Sequence, residues 1–242
     1  MNRSVITRIA KILTSLRHPV CWKALSRGVA PVIEHLPLLR RLDVDGILDV
    51  GANRGQFSLA CRIAMRGIPV LAFEPIPSEA SLYEEVHKGS GFSLQRYALG
   101  EVPETALLHI SQSKDSSSLL PIGRRQVEAF PETAETGTMS VEVRTLDFFL
   151  PETAGRIRQL LKIDVQGFEL NVLRGAREML RSCRYVYVEC SEVPLYDGQA
   201  LRPEVAAFLK DAGFAEREVL NPSYIRGELI QADYLYERIK SP

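Results

Sequence analysis

An α/β fold, with a mostly parallel sheet covered by helices, is the fold class that this 242-residue sequence predicts. From residue 46 onward, short apolar runs of strand length alternate with segments whose apolar residues recur at helical spacing. The first run continues into a glycine-containing turn, "ILDVGANRGQF" at residues 47–57, a position where α/β proteins bind nucleotides. The composition, 45% hydrophobic and 25% charged, is that of an ordinary globular domain.

The predicted elements follow one another in a regular order. Strands are expected at residues 46–50, 69–74, 92–98, 159–165 and 185–191, and helices at 55–66, 78–88, 167–181 and 202–212. "GFAEREVL" and "YLYERI" predict a closing pair of strands. Residues 105–145 break the alternation, because two strand-like runs flank a long polar stretch. This pattern predicts an inserted antiparallel β-hairpin whose long loop forms a lid on the substrate side.

The N-terminal residues 1–45 are predicted to form a basic helical arm, and residues 46–242 the catalytic domain. Residues 1–41 contain eight basic and one acidic side chain, a net charge of +7, so the remainder of the neutral chain carries −7. Apolar residues at helical spacing predict an amphipathic helix, namely Val5, Ile6, Ile9, Ile12, Leu13 and Leu16. Two alternatives remain: the helix packs on the domain, or it docks on a partner or a membrane surface.

Charge and cysteine usage narrow the classes of function. A formal net charge of zero argues against nucleic acid as the main partner. No apolar run approaches the roughly 18 residues that span a bilayer, and the start lacks the apolar region of a signal peptide. The four cysteines form no CxxC pair and no zinc-binding spacing. We therefore expect a cytoplasmic protein, and peripheral contact with the membrane through the basic arm stays one of the two alternatives for that segment. The sequence predicts no oligomeric state.

The first loop and the following strand carry the residues typical of a nucleoside site. Gly51 and Gly55 follow a strand and precede a helix, while Asn53 stands where a dinucleotide fingerprint has its middle glycine. Glu74 ends the next strand, where a carboxylate accepts hydrogen bonds from ribose hydroxyls. Asp49 would repel a pyrophosphate but attract the sulfonium of S-adenosylmethionine (SAM). These residues favour SAM and weaken the alternative of an NAD-dependent oxidoreductase.

Several motifs together resemble those of one known family. "DVGANRGQF", "FEP", "YALG", "DSSSLLP", "VEVRTLDFF", "LLKIDVQGFELNVLRGA" and "VYVECS" occur in the order typical of the FkbM-type methyltransferases, which are SAM-dependent O-methyltransferases. The resemblance covers roughly residues 45–240. It implies the class I Rossmann-like fold, with a seven-stranded, mostly parallel sheet, an antiparallel last strand and helices on both faces. It also implies methylation of hydroxyls on secondary metabolites or glycans.

The resemblance implies a set of cofactor-binding residues. The SAM loop contains Asp49, Gly51, Asn53, Gly55 and Gln56, and Glu74 binds the ribose. Because "YALG" is taken to end the third strand, Tyr97 and Ala98 are expected beside the adenine.

Catalysis is expected at the carboxyl ends of the fourth and fifth strands. Lys162 and Asp164 are two residues apart, hence on one side of a strand, and Glu189 lies on the neighbouring strand. Asp164 is the preferred general base or orienting group for the acceptor hydroxyl. A structural ion-pair network of Lys162 and Glu189 is the alternative. No metal site is predicted, because only two acidic residues stand at these strand ends.

Substrate contacts are expected from polar loops. The candidates are hydroxyl, amide, carboxylate and aromatic side chains: Ser117, Ser118, Tyr196, Asp197, Asn221 and Tyr224. Such groups suit a sugar or polyol better than a flat apolar molecule. Among the histidines, His87 is placed on a surface helix, and His109 is the one that can face the site.

The predicted function is methylation of a hydroxyl on a sugar, within a glycan, glycolipid or glycosylated metabolite. The alternative is a noncatalytic SAM-binding protein that docks on a glycan assembly.

Overall fold

A computed structural model describes residues 18–239 of the protein. The chain divides into two compact units, Met1–Arg96 and Tyr97–Pro242, referred to below as the first and second units. Seven strands form a mostly parallel sheet, which confirms the predicted α/β fold class. Three further strands form a small second sheet. Among the described residues, no helix is both long and apolar enough to cross a membrane.

The first unit contributes three parallel strands in the order β3-β2-β1. The strands are β1 (Gly46–Val50), β2 (Val70–Phe73) and β3 (Ser93–Gln95), and the helices are α1 (Trp22–Ser26), α2 (Leu36–Leu39), α3 (Gln56–Ala64) and α4 (Pro77–His87). Every residue of β1 and β2 is buried. This explains why their sequences are continuous apolar runs and do not alternate with polar residues.

The described part of the predicted arm, from residue 18 onward, contributes to the core of the first unit. Cys21, Ala24, Leu38 and Leu39 are all buried there. Burial raises the pKa of the Cys21 thiol to about 11, so this cysteine is a neutral apolar side chain. The predicted amphipathic helix with residues Val5 to Leu16 lies outside the described residues.

The second unit contains the other seven strands. They are β4 (Ala98–Leu99), β5 (Glu104–Ser111), β6 (Glu135–Arg144), β7 (Gln159–Ile163), β8 (Cys183–Ser191), β9 (Phe214–Ile225) and β10 (Glu228–Arg238). Its helices are α5 (Arg124–Ala129), α6 (Glu169–Arg174), α7 (Met179–Ser182) and α8 (Arg202–Asp211). In the main sheet the order is β7-β8-β10-β9, with β10 antiparallel to both neighbours. The antiparallel last strand is therefore confirmed.

The predicted hairpin insertion is confirmed as the antiparallel pair β5 and β6. One detail of the prediction is wrong: residues 92–98 do not form a single third strand. β3 ends at Gln95, and Ala98 instead pairs with Val143 of β6 in the small sheet. Arg96 separates the two runs, and its guanidinium bonds the carboxylate of Glu84 on α4 at 2.8 Å.

The helix predicted at 167–181 is interrupted. Gly175 ends α6 so close to another loop that a Cβ there would lie 2.0 Å from the carbonyl oxygen of Gly100. The carboxylate of Asp147 then accepts the backbone N–H of Met179 at 2.7 Å and starts α7. A contact between distant parts of the chain thus breaks a segment with a continuous helical pattern.

Candidate active site

In the first unit, a tight loop joins β1 to α3 and has the geometry expected of a ligand-binding turn. Gly51, Asn53 and Gly55 all have left-handed backbone conformations, with φ of 74°, 48° and 86°. Gly and Asn are the residues that adopt this region at the lowest cost. The backbone N–H groups of Gly51 and Ala52 donate to the carbonyl of Phe73 at 3.1 and 2.9 Å, which fixes the loop on the end of β2.

Glu74 follows β2 and supports the same loop. Its side chain is buried, with Oε2 accepting the Asn53 N–H at 2.9 Å and Oε1 accepting the Ile76 N–H at 2.8 Å. A carboxylate is an acceptor-only group with two oxygens, which is the chemistry that ribose hydroxyls require of a partner. Its role toward a ribose stays a prediction.

Asp49 lies in β1 and is fully buried. Its Oδ2 accepts the hydroxyl of Ser58 on α3 at 2.7 Å, and the Ser58 oxygen is 2.9 Å from the phenol oxygen of Tyr83 on α4. Burial, and then the charge of Asp49, raise the pKa of Tyr83 well above its usual range. Asp49 thus anchors a buried polar chain, and its predicted role toward a sulfonium stays a prediction.

Replacing Glu74 with glutamine is expected to weaken SAM binding about ten- to hundredfold. Glutamine keeps the size of the side chain but has one acceptor oxygen, whereas the N–H groups of Asn53 and Ile76 need two. The measurement is isothermal titration calorimetry with SAM. Glu84→Gln, at an exposed ion pair with Arg96, is the control and should bind SAM as the wild type does. An unchanged dissociation constant in the Glu74 variant would refute the assignment.

In the second unit, the side chains after β7 and at the end of β8 form a hydrogen-bonded cluster. The amide Nε2 of Gln166 donates to Asp164 Oδ1 at 2.7 Å and to Glu189 Oε2 at 3.0 Å. A second amide, Nε2 of Gln231 on β10, donates to Glu189 Oε1 at 3.0 Å. Lys162 Nζ lies 3.7 Å from Asp164 Oδ2. The structure therefore brings together all three predicted catalytic residues: the amide of Gln166 joins Asp164 to Glu189, and Lys162 lies beside Asp164.

The carboxylates of this cluster differ in their electrostatic environment. Desolvation, then the charges of Asp164 and Asp233, raise the pKa of Glu189 well above its usual range. Burial likewise raises the pKa of Glu169 to about 7, although its carboxylate accepts the Gly167 N–H at 2.8 Å. Burial therefore disfavours the ionised form of Glu189. Asp164, whose side chain is 39% exposed, is the member of the pair that a solvent-side ligand can reach.

Two of the predicted substrate residues join the same cluster. Ser118 donates its hydroxyl to the Gln166 carbonyl at 2.6 Å. The phenol of Tyr196 lies 2.9 Å from Gln166 Oε1 and 3.0 Å from the Ser116 carbonyl. Ser117 lies beside them, and its oxygen accepts the Ser111 N–H at 3.1 Å. Both Ser118 and Tyr196 are buried, so they orient Gln166 and do not project into solvent.

The long β5–β6 connection is attached to the segment that contains Tyr196. Gly123 N–H donates to the Leu195 carbonyl at 2.9 Å, and Asp197 N–H donates to the Pro121 carbonyl at 2.9 Å. The Asp197 side chain itself is exposed. These backbone hydrogen bonds hold the β5–β6 connection against the segment around Tyr196. The role of the connection as a substrate-side lid stays a prediction.

The remaining predicted site residues lie on β9 and at the start of β4. Asn221, in β9, donates to Asp233 Oδ2 at 2.8 Å, and Tyr224, in the same strand, is 60% exposed. Tyr97 stands against the Phe149 ring, with centroids 5.9 Å apart, and Ala98 belongs to the small sheet. Tyr97 and Ala98 do not end the third strand, as the sequence predicted, so the basis for placing them beside the adenine is wrong.

The histidines also differ from expectation. His87 is not on the surface: it is buried, with Nε2 3.1 Å from the carbonyl oxygen of Gly55. His109 pairs with Glu135 at 2.9 Å. Within residues 18–239, no group of three or more His, Cys, Asp or Glu side chains is arranged to hold a metal ion.

The sequence profile of the Methyltransferase FkbM domain matches residues 49–215, more than half of the chain. The chain belongs to the FkbM methyltransferase family. The match contains the loop around Gly51, the acid Glu74 and the Asp164–Glu189 pair. It ends before β10, so Gln231 and Asp233 lie outside the matched domain.

Relatives of this chain carry methyltransferase names. Methyltransferase 1 of Beauveria bassiana is 30% identical over 182 aligned positions, and the match covers 70% of this chain and 72% of that protein. The 2-O-methyltransferase NoeI of Sinorhizobium fredii is 28% identical over 203 aligned positions, and the match covers 81% of each chain. Methyltransferase sdnD of Sordaria araneosa is 29% identical over 196 aligned positions, and the match covers 69% of this chain and 73% of that protein. The FkbM methyltransferase described here is thus similar to these enzymes over most of its length.

Proposed function

We propose that this FkbM methyltransferase transfers the methyl group of SAM to a hydroxyl oxygen of a sugar, within a glycan, glycolipid or glycosylated metabolite. The observation that carries the proposal is the carboxylate at Asp164, held by Gln166 and partly exposed, in a setting of amide and hydroxyl side chains. Such a setting suits a polar, hydroxyl-rich acceptor. The name of the relative NoeI, a 2-O-methyltransferase, supports oxygen as the methylated atom.

The first unit supports SAM as the methyl donor. The left-handed loop at Gly51 to Gly55 follows the end of β1, and the Glu74 carboxylate, an acceptor suited to a diol, bonds the Asn53 N–H of this loop. The buried charge of Asp49 beneath this loop favours a cationic ligand over a pyrophosphate. These residues fit an adenosyl sulfonium, which supplies an electrophilic methyl group when it is bound.

The second unit supplies the groups that act on the acceptor. Methyl transfer to oxygen requires that the hydroxyl be aligned and that its proton be accepted. Asp164 accepts this proton, and its Oδ2 lies 3.7 Å from Nζ of Lys162. With a 39% exposed side chain, Asp164 is the carboxyl group of the pair that an acceptor can reach. Gln166 keeps the two carboxyl groups in fixed positions.

Two measurements test the proposal. Calorimetry should show binding of SAM and of S-adenosylhomocysteine, and no binding of NAD. Purified protein should then release S-adenosylhomocysteine from SAM when a panel of mono- and oligosaccharides is added. Binding of NAD in place of SAM would refute the cofactor. Turnover with aliphatic amines or thiols, but not with any sugar in the panel, would refute the acceptor class.

A further inference from the structure

His87 lies at the end of α4, directly beneath the loop that we assign to SAM. Its Nε2 is 3.1 Å from the Gly55 carbonyl oxygen, which also accepts the first helical hydrogen bond of α3, from the Leu59 N–H at 2.8 Å. Gly55 has φ of 86°, and a Cβ there would lie 2.3 Å from His87 Nε2. The imidazole of His87 thus fills the space that a side chain at position 55 would need.

The ring of His87 is fixed by its neighbours. It lies between two aromatic rings, with centroid distances of 4.5 Å to Tyr83 and 5.4 Å to Phe92. The hydroxyl of Ser90 donates to the His87 carbonyl at 2.7 Å and fixes the backbone at the end of α4. Because the buried imidazole packs against both of these rings, it cannot rotate away from the Gly55 carbonyl without disturbing them.

The surroundings of the two ring nitrogens define the tautomer of His87. The Gly55 carbonyl can only accept, so Nε2 must carry the hydrogen. Nδ1 is buried and has no hydrogen-bond partner among the described residues. A proton on Nδ1 would be a buried N–H without an acceptor, which is costly. Consistently, burial lowers the pKa of His87 to about 4, so the ring is neutral over the physiological range.

We propose that His87, as the neutral Nε2–H tautomer, is a positioning residue that holds the cofactor loop in its binding conformation through the carbonyl of Gly55. This inference rests on the proposed SAM site. His87 does not touch the cofactor in this assignment; it fixes the left-handed turn and the start of α3 on which the binding backbone depends.

The test compares two variants by calorimetry with SAM. His87→Phe keeps an aromatic ring between Tyr83 and Phe92 but removes the donor, and should weaken SAM binding about three- to tenfold. His87→Gln restores an N–H near the position of Nε2 and should bind within about twofold of the wild type. His109→Gln, in the second unit, is the control. Unchanged SAM binding by the Phe variant, or equal weakening in both variants, would overturn the proposal.

A second measurement does not depend on the Phe variant. Nitrogen-15 NMR of the wild-type protein with labelled histidine should show, for His87, a protonated Nε2 and an unprotonated Nδ1 at neutral pH. With four histidines in the chain, the His87→Gln spectrum assigns the signal. A protonated Nδ1 at neutral pH would overturn the proposal even if the Phe variant does not fold. Failure of the wild type to bind SAM would instead refute the proposed function.

Discussion

Asp164→Asn is expected to lower turnover by about 10²- to 10⁴-fold, the usual contribution of a general base. Asparagine keeps the size of the side chain and an oxygen that accepts from Gln166, but it cannot take up the acceptor proton. SAM binding should change far less, because the predicted cofactor contacts Asp49 and Glu74 lie on other strands. Turnover is measured as S-adenosylhomocysteine release with the best sugar from the acceptor panel, and SAM affinity by calorimetry.

The control for this variant is Asp211→Asn, which removes an exposed carboxylate at the end of α8. It should turn over like the wild type. Near-normal turnover by the Asp164 variant would make Asp164 a structural residue. A large fall in its unfolding temperature would assign Asp164 chiefly to the network with Lys162 and Gln166.

Gly55→Ala is expected to weaken SAM binding by about a hundredfold, which corresponds to about 2.7 kcal/mol. An added Cβ would lie 2.3 Å from His87 Nε2 and 2.8 Å from Tyr83 Cδ2, and both rings are buried and packed. The loop must therefore move away from its ligand-binding conformation. Overpacking of this kind costs about 1–3 kcal/mol, in addition to the strain of a left-handed alanine. Calorimetry gives the affinity, and thermal unfolding gives the stability.

Gly67→Ala, also in the first unit, separates the cost of backbone strain from the cost of overpacking. Gly67 has a similar φ of 80°, but nothing lies within 4 Å of its added Cβ. This control should lose a little stability from backbone strain and retain SAM binding. Equal effects of the two alanines on SAM affinity would show that the contact with His87 is unimportant.

Local patterns predicted most of the fold. The buried run 46–50 is β1 with the predicted bounds, and the two strand-like runs around the polar stretch are the hairpin β5 and β6. The acids at the strand ends, Asp164 and Glu189, were also predictable, because parallel strands direct their carboxyl ends to one edge. In each case the signal lies within a few neighbouring residues.

The features that the sequence did not predict depend on contacts between distant residues. The break at Gly175 arises from the Gly100 backbone, and the burial of His87 arises from the loop at Gly55. Gln231 reaches Glu189 because β10 lies beside β8, which no spacing along the chain indicates. Gln166 has φ of 57°, a conformation uncommon for a non-glycine residue, and no local pattern in the sequence indicates it.

The position of β10 between β8 and β9 has a consequence for folding. β9 and β10 are joined by a two-residue turn, Arg226 and Gly227, with φ of 51° and 85°, so this hairpin is local in sequence and can form early. When this hairpin pairs with β8, Gln231 comes within hydrogen-bond distance of Glu189, and Asp233 lies opposite Glu189. The carboxyl cluster is therefore incomplete until β10 has left the ribosome and paired with β8, and a chain without β10 would lack the amide partner of Glu189 and the strand that joins β9 to the sheet.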